Sequence, residues 1–580
     1  MLKTRYVVAS VSLLIVIFVA VMFFLPNFQI DKATKGNTYT ESVFDQSKVT
    51  NVDITVDDED LTSILENPTE KEIINADVTI DGETVKNVGF RTKGNLSLNS
   101  VVQMEDSDRY SWKIDFDYYQ EDQDLHGLKK LALNNNYSDP TYMREYLSYT
   151  LMEKMGIATP GHSYMYVTIN GKEWGLYLGV EAIEETFLDT HFSDGTGDLY
   201  YPDGTGSDLK WISDDIDDYT GMNLKTNDNS DQSALIKLLN VINNGGDLDE
   251  VMDVDEMLRY FAANTALVNL DHYQGDKKHN YYLYEENGIF SILPWDYNMS
   301  FGGYSVGGGG KGPVVGQETA NEGEDKAVAQ KDPASVNEDS SPAKAKLPEG
   351  APNKNGGGDM SANFMNEDNI NFSITEPVSG TTLEDRPLLN ALLTNDEYRE
   401  KYNEYLNDIA VDYFSEENMK AMTKEISTLI TPFVEKDPTK FYSMDEYTEA
   451  TSGEKTLVNF ATQRADSILA QLSGDLVVEA DTQSSMGSAA PNMEKENGAA
   501  MQPPNMGNGE GGAPIQPPNM GDGENGIAMQ PPGMNRDLDS RGGINSSYSK
   551  ETIILSSALL LLLFGAIAFA HSFRRRGRKG

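Results

Sequence analysis

Residues 280–303, NYYLYEENGIFSILPWDYNMSFGG, combine strand-forming runs with loop signals. Two β-rich runs in this stretch predict a pair of strands, and the second run leads to Asp296, an aromatic residue and the Gly302-Gly303 step. The pattern puts one carboxylate at the tip of a buried strand and follows it with a flexible loop. Metal-dependent phosphoryl transfer requires such a carboxylate, although many ordinary strand ends have the same pattern.

The chain before this stretch is predicted to be β-rich over residues 49–181. Short runs such as VDITV, ADVTIDGETVKNVGFRTKG and YSWKIDF are separated by turns. One helix interrupts the strands, because SDPTYMREYLSYTLMEKMG opens with Ser138 and Asp139 ahead of Pro140 and stops at Gly156. The sequence therefore predicts a β-rich region with one internal helix.

The remaining globular part, residues 182–472, is predicted to be mainly helical. SALIKLLNVINN, DVDEMLRYFAANTALVNLDHY and EKTLVNFATQRADSILAQL have helical spacing of apolar residues. Residues 305–370 are rich in Gly, Ala and Asn without apolar periodicity, so a disordered insertion is predicted there. The patterns together give an α+β fold class.

Composition excludes several classes of function. The 92 Asp and Glu residues outnumber the 46 Lys and Arg residues, and a net charge of -46 would repel the phosphates of nucleic acids. No nucleic acid partner is therefore expected. Because the sequence contains 0 cysteines, disulfides, thiolate zinc sites and cysteine nucleophiles are excluded, and any metal must be held by oxygen or histidine ligands.

Apolar segments near both ends predict a bacterial cell membrane location with two spans. Residues 1–25 contain an uncharged apolar run after Lys3 and Arg5 and are predicted to be an uncleaved anchor. Residues 551–571 predict a C-terminal transmembrane helix, and the basic tail 572–580 predicts a cytoplasmic flank. The main domain is then expected to be extracellular, with both termini in the cytoplasm.

Two segments between these spans and the domain are predicted to be spacers. Residues 26–48 are a linker after the first span. Residues 473–550 contain QPPNM twice and QPPGM once at a regular interval, with no apolar face to bury. This Pro/Gly/Met-rich composition predicts an extended stalk.

Acids and amides cluster just before the strand pair, where an oxygen-held metal ion could bind. LVNLDHYQGDKKHNYYLY supplies Asp271, Asp276 and Asn280, and Asp296 follows on the neighbouring strand. Phosphoryl transfer to an alcohol uses one acid to accept the hydroxyl proton, together with a carboxylate and a carboxamide on the metal. The pattern favours this arrangement, although loops rich in Asp and Asn are more often solvated turns.

A phosphate site also needs positive charge on the β-rich region. Lys113 in YSWKIDF lies within a strand alternation where a lysine is otherwise unexplained, unless it is simply on the outward face. Arg91 and Lys93 in GFRTKGNLSLNS flank a Gly-Asn turn whose backbone donors could cradle phosphate oxygens; an ordinary basic turn is the alternative.

The internal helix offers acids that would hold the lysine in position. Both Glu145 and Glu153 lie on it, and the sequence does not choose between them. Arg144 is expected to be a second phosphate cation.

Six ordered motifs resemble those of the spore coat protein H (CotH) kinase family: FRTKGNLS, YSWKIDFD, HGLKKLALNNNYSDPTYMREYLSYTLMEKMGI, VTINGKEWGLYLGVEAIEETFL, DHYQGDKKHNYYLY and LPWDYNMSFGG. The resemblance covers residues 50–304 and extends to about residue 472. It implies an atypical protein-kinase-like bilobal fold, with a β-rich N-lobe and a helical C-lobe flanked by the two transmembrane helices. It also implies transfer of the γ-phosphate of ATP to Ser or Thr hydroxyls of surface or secreted proteins, with Mg²⁺ or Mn²⁺.

The resemblance assigns a role to each of four residues, which are Asp271, Asn280, Asp296 and Lys113. Asp271 resembles the catalytic-loop acid, Asn280 a metal-binding amide and Asp296 the metal-binding Asp that follows the last strand. Lys113 resembles the lysine that contacts the ATP phosphates. Asn280 follows Asp271 at a longer spacing than in a standard kinase, so Asp276 is the alternative catalytic acid.

The same resemblance places further residues near the nucleotide. Arg91, Lys93 and Asn95 occupy the family's turn near the nucleotide, and Glu181 is expected at the junction of the lobes. The chain departs from a standard kinase in having no GxGxxG loop ahead of Lys113.

The alternative function is a catalytically silent surface scaffold or adhesion protein that retains a kinase-like fold. A third hypothesis, a carbohydrate- or Ca²⁺-binding surface module, ranks last because the sequence has no Ca²⁺ loop of the EF-hand type. Binding of nucleotide together with metal would distinguish the enzyme from the scaffold.

Overall fold

The computed structural model describes residues 38–193, 195–226, 230–304 and 364–478. These residues form a mixed α+β structure with a β-rich N-terminal region and a helical C-terminal region. The predicted α+β fold class is therefore confirmed at this level. The predicted anchor, the C-terminal helix and the basic tail lie outside the described residues, as do nearly all of the stalk and most of the insertion.

Seven strands of the N-terminal region close into a barrel in the order β1-β2-β3-β4-β5-β7-β6. The strands are β1 (Thr50–Val56), β2 (Ile74–Ile80), β3 (Glu83–Lys93), β4 (Ser111–Asp115), β5 (Lys130–Asn134), β6 (His162–Ile169) and β7 (Lys172–Glu181). Neighbouring strands are antiparallel except β1 and β6, which run parallel and close the barrel. Side chains of β1 are alternately buried and exposed, as expected for strands with one face on a core.

The interior of the barrel is filled by large apolar side chains. Phe90 and Trp112 stack with their ring centroids 4.8 Å apart, and Leu131, Leu133 and Tyr177 are fully buried beside them. Because successive side chains of a strand point to opposite faces, the residues between these positions on β3, β4 and β5 point out of the barrel.

A second sheet of four strands follows in the order β11-β10-β8-β9. Its strands are β8 (Asp198–Pro202), β9 (Met222–Leu224), β10 (Tyr281–Glu286) and β11 (Ile289–Pro294). The antiparallel β10 and β11 are joined by Asn287 and Gly288, which have φ values of 57° and 87°. These left-handed conformations are those of a tight hairpin turn, so residues 280–303 contain the pair of strands that their sequence predicts.

Helices frame both regions. In the β-rich region they are α1 (Tyr39–Ser42), α2 (Asp58–Glu66), α3 (Leu96–Val102) and α4 (Arg144–Lys154). The later helices are α5 (Glu185–His191), α6 (Ser233–Asn244), α7 (Val254–Leu267), α8 (Glu367–Ile370), α9 (Pro387–Leu393), α10 (Asp396–Asp408), α11 (Glu416–Lys436), α12 (Met444–Ser452) and α13 (Leu457–Ser473). A π-helical segment, Ile409–Tyr413, joins α10 to α11. Helix α8 lies in the last part of the predicted insertion.

The sequence predicts one helix inside the β-rich region, but α2 and α3 lie there too, and the predicted helix, α4, starts later than its sequence indicates. Pro140 follows a good capping sequence, yet α4 begins at Arg144. The reason is that Tyr142 has a φ of 62°, which an α-helix cannot contain. The side chain of Asp139 instead accepts a hydrogen bond from the backbone N–H of Arg144 at 2.8 Å.

A buried ion pair joins the barrel to the C-terminal helices. Arg109 Nη1 lies 2.8 Å from Asp437 Oδ2, and both side chains are fully buried. Asp437 directly follows α11, and it approaches the barrel closely at Gly175, where an added Cβ would lie 2.1 Å from Asp437 Oδ1. Only glycine therefore fits at this contact.

The predicted membrane location is corrected. Within residues 38–193, 195–226, 230–304 and 364–478, no helix combines the length and the apolar character needed to cross a bilayer. The two segments predicted to be spans lie outside these residues. An extracellular domain held by two transmembrane helices is therefore not retained.

Candidate functional site

Asp296 lies two positions past the end of β11. Its φ of 56° is left-handed, a conformation that few non-glycine residues adopt. Its backbone N–H donates to the hydroxyl of Tyr149 on α4 at 3.2 Å. The turn thus ends the strand and holds Asp296 against the helix.

A loop between α7 and β10 brings three further polar side chains together. His279 Nε2 lies 3.0 Å from Asp271 Oδ1. Asn280 Nδ2 donates to the backbone oxygen of Asp271 at 2.9 Å and to its Oδ2 at 3.3 Å. Both oxygens of the Asp271 carboxylate are therefore positioned by neighbours in the same loop, and the carbonyl oxygen of Asn280 is not used in these bonds.

The barrel contributes a chain of hydrogen bonds that leads to α4. Lys93 Nζ donates to Asn134 Oδ1 at 2.7 Å, and Asn134 Nδ2 donates to Glu145 Oε1 and Oε2 at 3.1 and 2.9 Å. Lys93 Nζ also lies 5.4 Å from the centroid of the Trp295 ring. Glu145 therefore positions Lys93 through Asn134 rather than by a direct ion pair.

The charged side chains of the barrel and of the loop influence one another's pKa values, so they are treated as one group. Burial and the nearby Asp296 carboxylate raise the pKa of Glu145 to about 7, against the opposing charge of Lys93. Burial also raises the pKa of Asp296, with Lys93 opposing the shift and Asp271 adding to it. Glu145 and Asp271 each interact with Asp296, and Lys93 offsets part of this negative charge, an arrangement that favours binding of a further cation.

His279 adds a second positive group to this set. Burial opposes its protonation, but the hydrogen bond and the charge of Asp271 together raise the pKa of His279 above its ordinary value. A protonated His279 therefore lies against the Asp271 carboxylate and helps to hold it in position.

Lys113 lies on the same outward face of the barrel as Lys93, in a neighbouring row. Its partner across the sheet is Arg91, which is buried and donates from Nη1 to the carbonyl of Thr92 at 3.1 Å. The charge of Lys113 acts on Glu184, whose pKa is raised by burial and lowered in part by this lysine. Lys93 is the lysine whose hydrogen bonds and charge lead to Glu145 and Asp296.

The acids that the sequence left open are separated in space. Glu145 belongs to the group just described, whereas Glu153 lies 3.8 Å from His162 Nδ1 at the other end of α4. Asp276 accepts a hydrogen bond from the hydroxyl of Tyr304 at 3.0 Å instead of facing Asp271.

The remaining predicted residues lie around the group rather than in it. Asn95 is exposed and accepts a hydrogen bond from Asn99 at 3.0 Å. Arg144 is buried, donates to the carbonyl of Ser138 at 3.1 Å and lies 5.1 Å from the Phe364 ring centroid.

Glu181 is also buried, and its contacts lie at the N-terminal helix. It accepts hydrogen bonds from the Tyr39 hydroxyl at 2.5 Å and the Gly161 N–H at 2.9 Å. Burial raises the pKa of Glu181 to about 7. These contacts attach α1 to the barrel.

Sequence reasoning missed three members of the group: Asn134, Tyr149 and His279. The run Asn134-Asn135-Asn136 at the end of a strand is an unusual concentration of amides and could have identified the first. His279 stands directly before Asn280, whereas no local signal identifies Tyr149 among the tyrosines of α4.

A model of the CotH kinase protein family matches residues 90–468 of this sequence. The chain belongs to the CotH kinase protein family. The matched range includes every member of the group built around Lys93, Glu145, Asp271 and Asp296. It begins at Phe90 inside β3, so β1 and β2 complete the barrel from outside the matched range.

Two curated relatives of the CotH family come from Bacillus subtilis (strain 168). The inner spore coat protein H is 30% identical over 190 residues, which are 30% of this chain and 51% of the relative. The inner spore coat protein H-like protein is 30% identical over 92 residues, which are 16% of this chain and 28% of the relative. The chain thus spans about half the length of the first of these relatives.

The CotH family suggests use of nucleotide and metal in general, and the donor atoms of the site fit a small divalent cation. In the part of the chain that the structure describes, no group of three His, Cys, Asp or Glu side chains is arranged to hold a metal ion by itself. Asp296 supplies carboxylate oxygens, and Asn280 supplies a carboxamide oxygen. Oxygen ligands of this kind are those that Mg²⁺ takes when substrate phosphates complete its shell.

Proposed function

We propose that this CotH-family protein is an atypical kinase-like phosphotransferase, which transfers the γ-phosphate of ATP to Ser or Thr hydroxyls of surface or secreted proteins. The observation that carries the proposal is the convergence of Lys93 from the barrel with Asp271, Asn280 and Asp296 from the helical region. In this proposal the barrel acts as the N-lobe, and the second sheet and the helices act as the C-lobe.

The barrel side of the site binds phosphate. Lys93 Nζ reaches the oxygens of the bound nucleotide, and its hydrogen bond to Asn134 orients it. Glu145 fixes the Asn134 amide from α4. Positioning of this kind matters because catalysis of phosphoryl transfer is mainly orientation and charge stabilisation.

The metal side of the site consists of Asp296 and Asn280. When bound there, Mg²⁺ or Mn²⁺ supplies neutralisation of the charge on the phosphate oxygens. The left-handed turn at Asp296 and its backbone hydrogen bond to Tyr149 fix this residue just past the end of β11. Asn280 keeps its orientation because its Nδ2 is bonded to Asp271.

Asp271 is the proposed proton acceptor. The hydroxyl oxygen of the substrate forms a bond to the γ-phosphorus, the bond from that phosphorus to the β–γ bridging oxygen breaks, and ADP leaves. The hydroxyl proton passes to the carboxylate of Asp271, which His279 and Asn280 hold in place.

The experiment that tests the proposal incubates the full chain with ATP labelled at the γ-phosphate, Mg²⁺ or Mn²⁺, and casein as a generic acceptor. Label on Ser or Thr of casein or of the chain itself supports the proposal. ATP labelled at the α-phosphate is the control, because its label transfers only if the reaction moves the nucleotide instead. No transfer and no metal-dependent ATP binding would overturn the proposal in favour of a silent scaffold.

Lys93→Met is expected to lower kcat/KM for ATP by about a hundredfold, because it removes a charge directed at the transferred phosphate. Lys113→Met is expected to cost less than about tenfold, since Lys113 acts on Glu184 rather than on Asp296. Steady-state kinetics of both variants give the comparison. A larger loss in Lys113→Met would return the phosphate role to that residue.

Asp271→Asn is expected to lower kcat by about a hundredfold or more while ATP still binds, because general-base catalysis typically contributes this much. Asp276→Asn is the matched variant in the same loop, and its kcat should stay within about threefold of wild type because Asp276 faces Tyr304. Single-turnover rates and ATP affinity separate the two steps. An equal or greater loss in Asp276→Asn would identify Asp276 as the base.

A further inference from the structure

The outward face of the barrel forms a strip that leads away from the candidate phosphate site. Lys93 lies at one end of the strip, Lys113 and Ala132 are paired in the middle, and Asp115 and Lys130 are paired at the far end. Each step along a strand face covers two residues, so the two ends are about 13 Å apart. An extended nucleoside triphosphate spans a comparable distance from its terminal phosphate to its base.

The far end of the strip carries two acceptor atoms without donors. Lys130 Nζ lies 2.7 Å from Glu184 Oε2 and 3.8 Å from Asp115 Oδ2. Asp115 Oδ1 and Glu184 Oε1 are buried, and neither has a hydrogen-bonding partner among the described residues. Buried polar atoms in proteins are nearly always paired; the Asp115 carboxylate has a neighbour in Asp117, so the unpaired Oε1 of Glu184 indicates a ligand that donates a hydrogen bond.

The environment of these atoms is poor in water. Burial raises the pKa of Asp115 to about 7, although Lys130 opposes the shift, and burial raises the pKa of Glu184 as well. A hydrogen bond formed here is strong because little water competes for the acceptor.

The middle of the strip is lined by small and apolar side chains. Ala132 is the smallest side chain there, between Lys113 and Val180 in the same cross-strand row. Trp295 lies across Lys93 and packs against the apolar cluster that contains Ile183. Aromatic and aliphatic surfaces of this kind are typical walls for a nucleotide base.

We propose that Glu184 is a specificity-determining residue, whose unpaired Oε1 accepts a hydrogen bond from the exocyclic amino group of adenine when the phosphates of the nucleotide lie at Lys93. This inference rests on the proposed function, since it assumes that ATP binds at Lys93. Lys130 holds the other oxygen of Glu184, so the carboxylate has one fixed oxygen and one buried oxygen that lacks a hydrogen-bonding partner among the described residues.

The test compares two nucleotides by calorimetric titration of the full chain with Mg²⁺ present. Purine riboside triphosphate lacks the amino group but otherwise matches ATP. Wild type is expected to bind it about tenfold or more weakly than ATP, as loss of a hydrogen bond to a charged acceptor predicts. In Glu184→Ala the two nucleotides should bind within about twofold of each other, because the acceptor is gone.

Glu185→Ala is the matched control. Glu185 directly follows Glu184 in the sequence, and its side chain is 71% exposed. The Glu185→Ala variant should therefore keep the wild-type preference for ATP. Equal binding of the two nucleotides by wild type overturns the assignment without any variant. A preference that persists in Glu184→Ala overturns it too.

The nucleotide site and the role of Glu184 can be overturned separately. If neither nucleotide binds, both the proposed nucleotide site and the role of Glu184 are overturned. If both bind tightly and equally, only the role of Glu184 falls.

Discussion

Asp296→Asn is expected to lower phosphoryl transfer by at least about a hundredfold, which is the cost of removing one preorganised charge at a reacting phosphate. Asn has nearly the shape of Asp, so the turn after β11 and its hydrogen bond to Tyr149 should remain. The loss should therefore come from the missing negative charge, which holds the metal ion. Transfer of labelled γ-phosphate by wild type and variant measures it.

The same variant is expected to be more stable than wild type at pH 7. Burial and the charge of Asp271 raise the pKa of Asp296 in the folded state, with Lys93 opposing. A carboxyl group with a raised folded-state pKa costs stability as the pH rises from its ordinary pKa through the raised one. The uncharged Asn removes this cost, so the difference in Tm should shrink as the pH is lowered toward 3.8, where Asp is itself protonated.

Thermal melts with and without Mg²⁺ complete the test. Mg²⁺ should raise the Tm of wild type and not that of Asp296→Asn, because a ligand stabilises only the form that binds it. Asp231→Asn is the matched control, since Asp231 is exposed and its Asn can still accept the backbone hydrogen bond of Ser233. Wild-type turnover in Asp296→Asn would contradict the metal role, and a lower Tm at pH 7 would contradict the electrostatic account.

Asp437→Ala is expected to reduce the free energy of unfolding by about 3–5 kcal/mol, because it leaves the buried charge of Arg109 without its partner. Asp437 also accepts hydrogen bonds from the backbone N–H groups of Leu176 and Thr439, each at 2.8 Å. The truncation therefore breaks the contact between α11 and the barrel as well as the ion pair. Urea unfolding of the full chain, followed by tryptophan fluorescence, measures the change.

Lys48→Met is the control for the loss of an ion pair. Lys48 Nζ lies 2.6 Å from Asp81 Oδ2, but the two side chains are 46% and 29% exposed. Solvent screens such a pair, so its loss should cost less than about 1 kcal/mol. Equal costs for the two variants would contradict a dominant role of burial at Arg109.

A double variant checks the reason for the large effect. In Arg109→Met with Asp437→Leu, both charges are absent, and the unfolding free energy should recover part of the loss seen in Asp437→Ala. No recovery would show that packing around Gly175, rather than an unpaired charge, accounts for the loss.

Much of the local structure follows from sequence patterns. Alternation of apolar residues predicts the strands of the barrel, and the β-rich runs of residues 280–303 predict the pair β10 and β11. The start of α4 could not be predicted, because the left-handed Tyr142 depends on contacts such as the hydrogen bond from the Tyr164 hydroxyl to its carbonyl. A local pattern reports only interactions between residues a few positions apart.

The residues of the candidate site likewise divide into those that local sequence predicts and those that depend on tertiary packing. Asp271, Asn280 and Asp296 could be chosen from the sequence because they lie in one short stretch around a pair of strands. The resemblance assigned the phosphate lysine to Lys113, but local sequence cannot separate it from Lys93, since both are outward-facing lysines on adjacent barrel strands. Only the packing of α4 on the barrel determines which of the two lysines is linked to Glu145 through Asn134.

The sequence by itself determined the α+β class, the strands and most of the helices, and the oxygen chemistry that a chain without cysteine must use. Tertiary structure alone decided the closure of the barrel by β1 and β6, the Lys93–Asn134–Glu145 chain and the pairing of Arg109 with Asp437. The last two residues are 328 positions apart. Contacts over such separations depend on how whole elements pack, and the free energy of that packing is spread over many side chains that no single stretch of sequence contains.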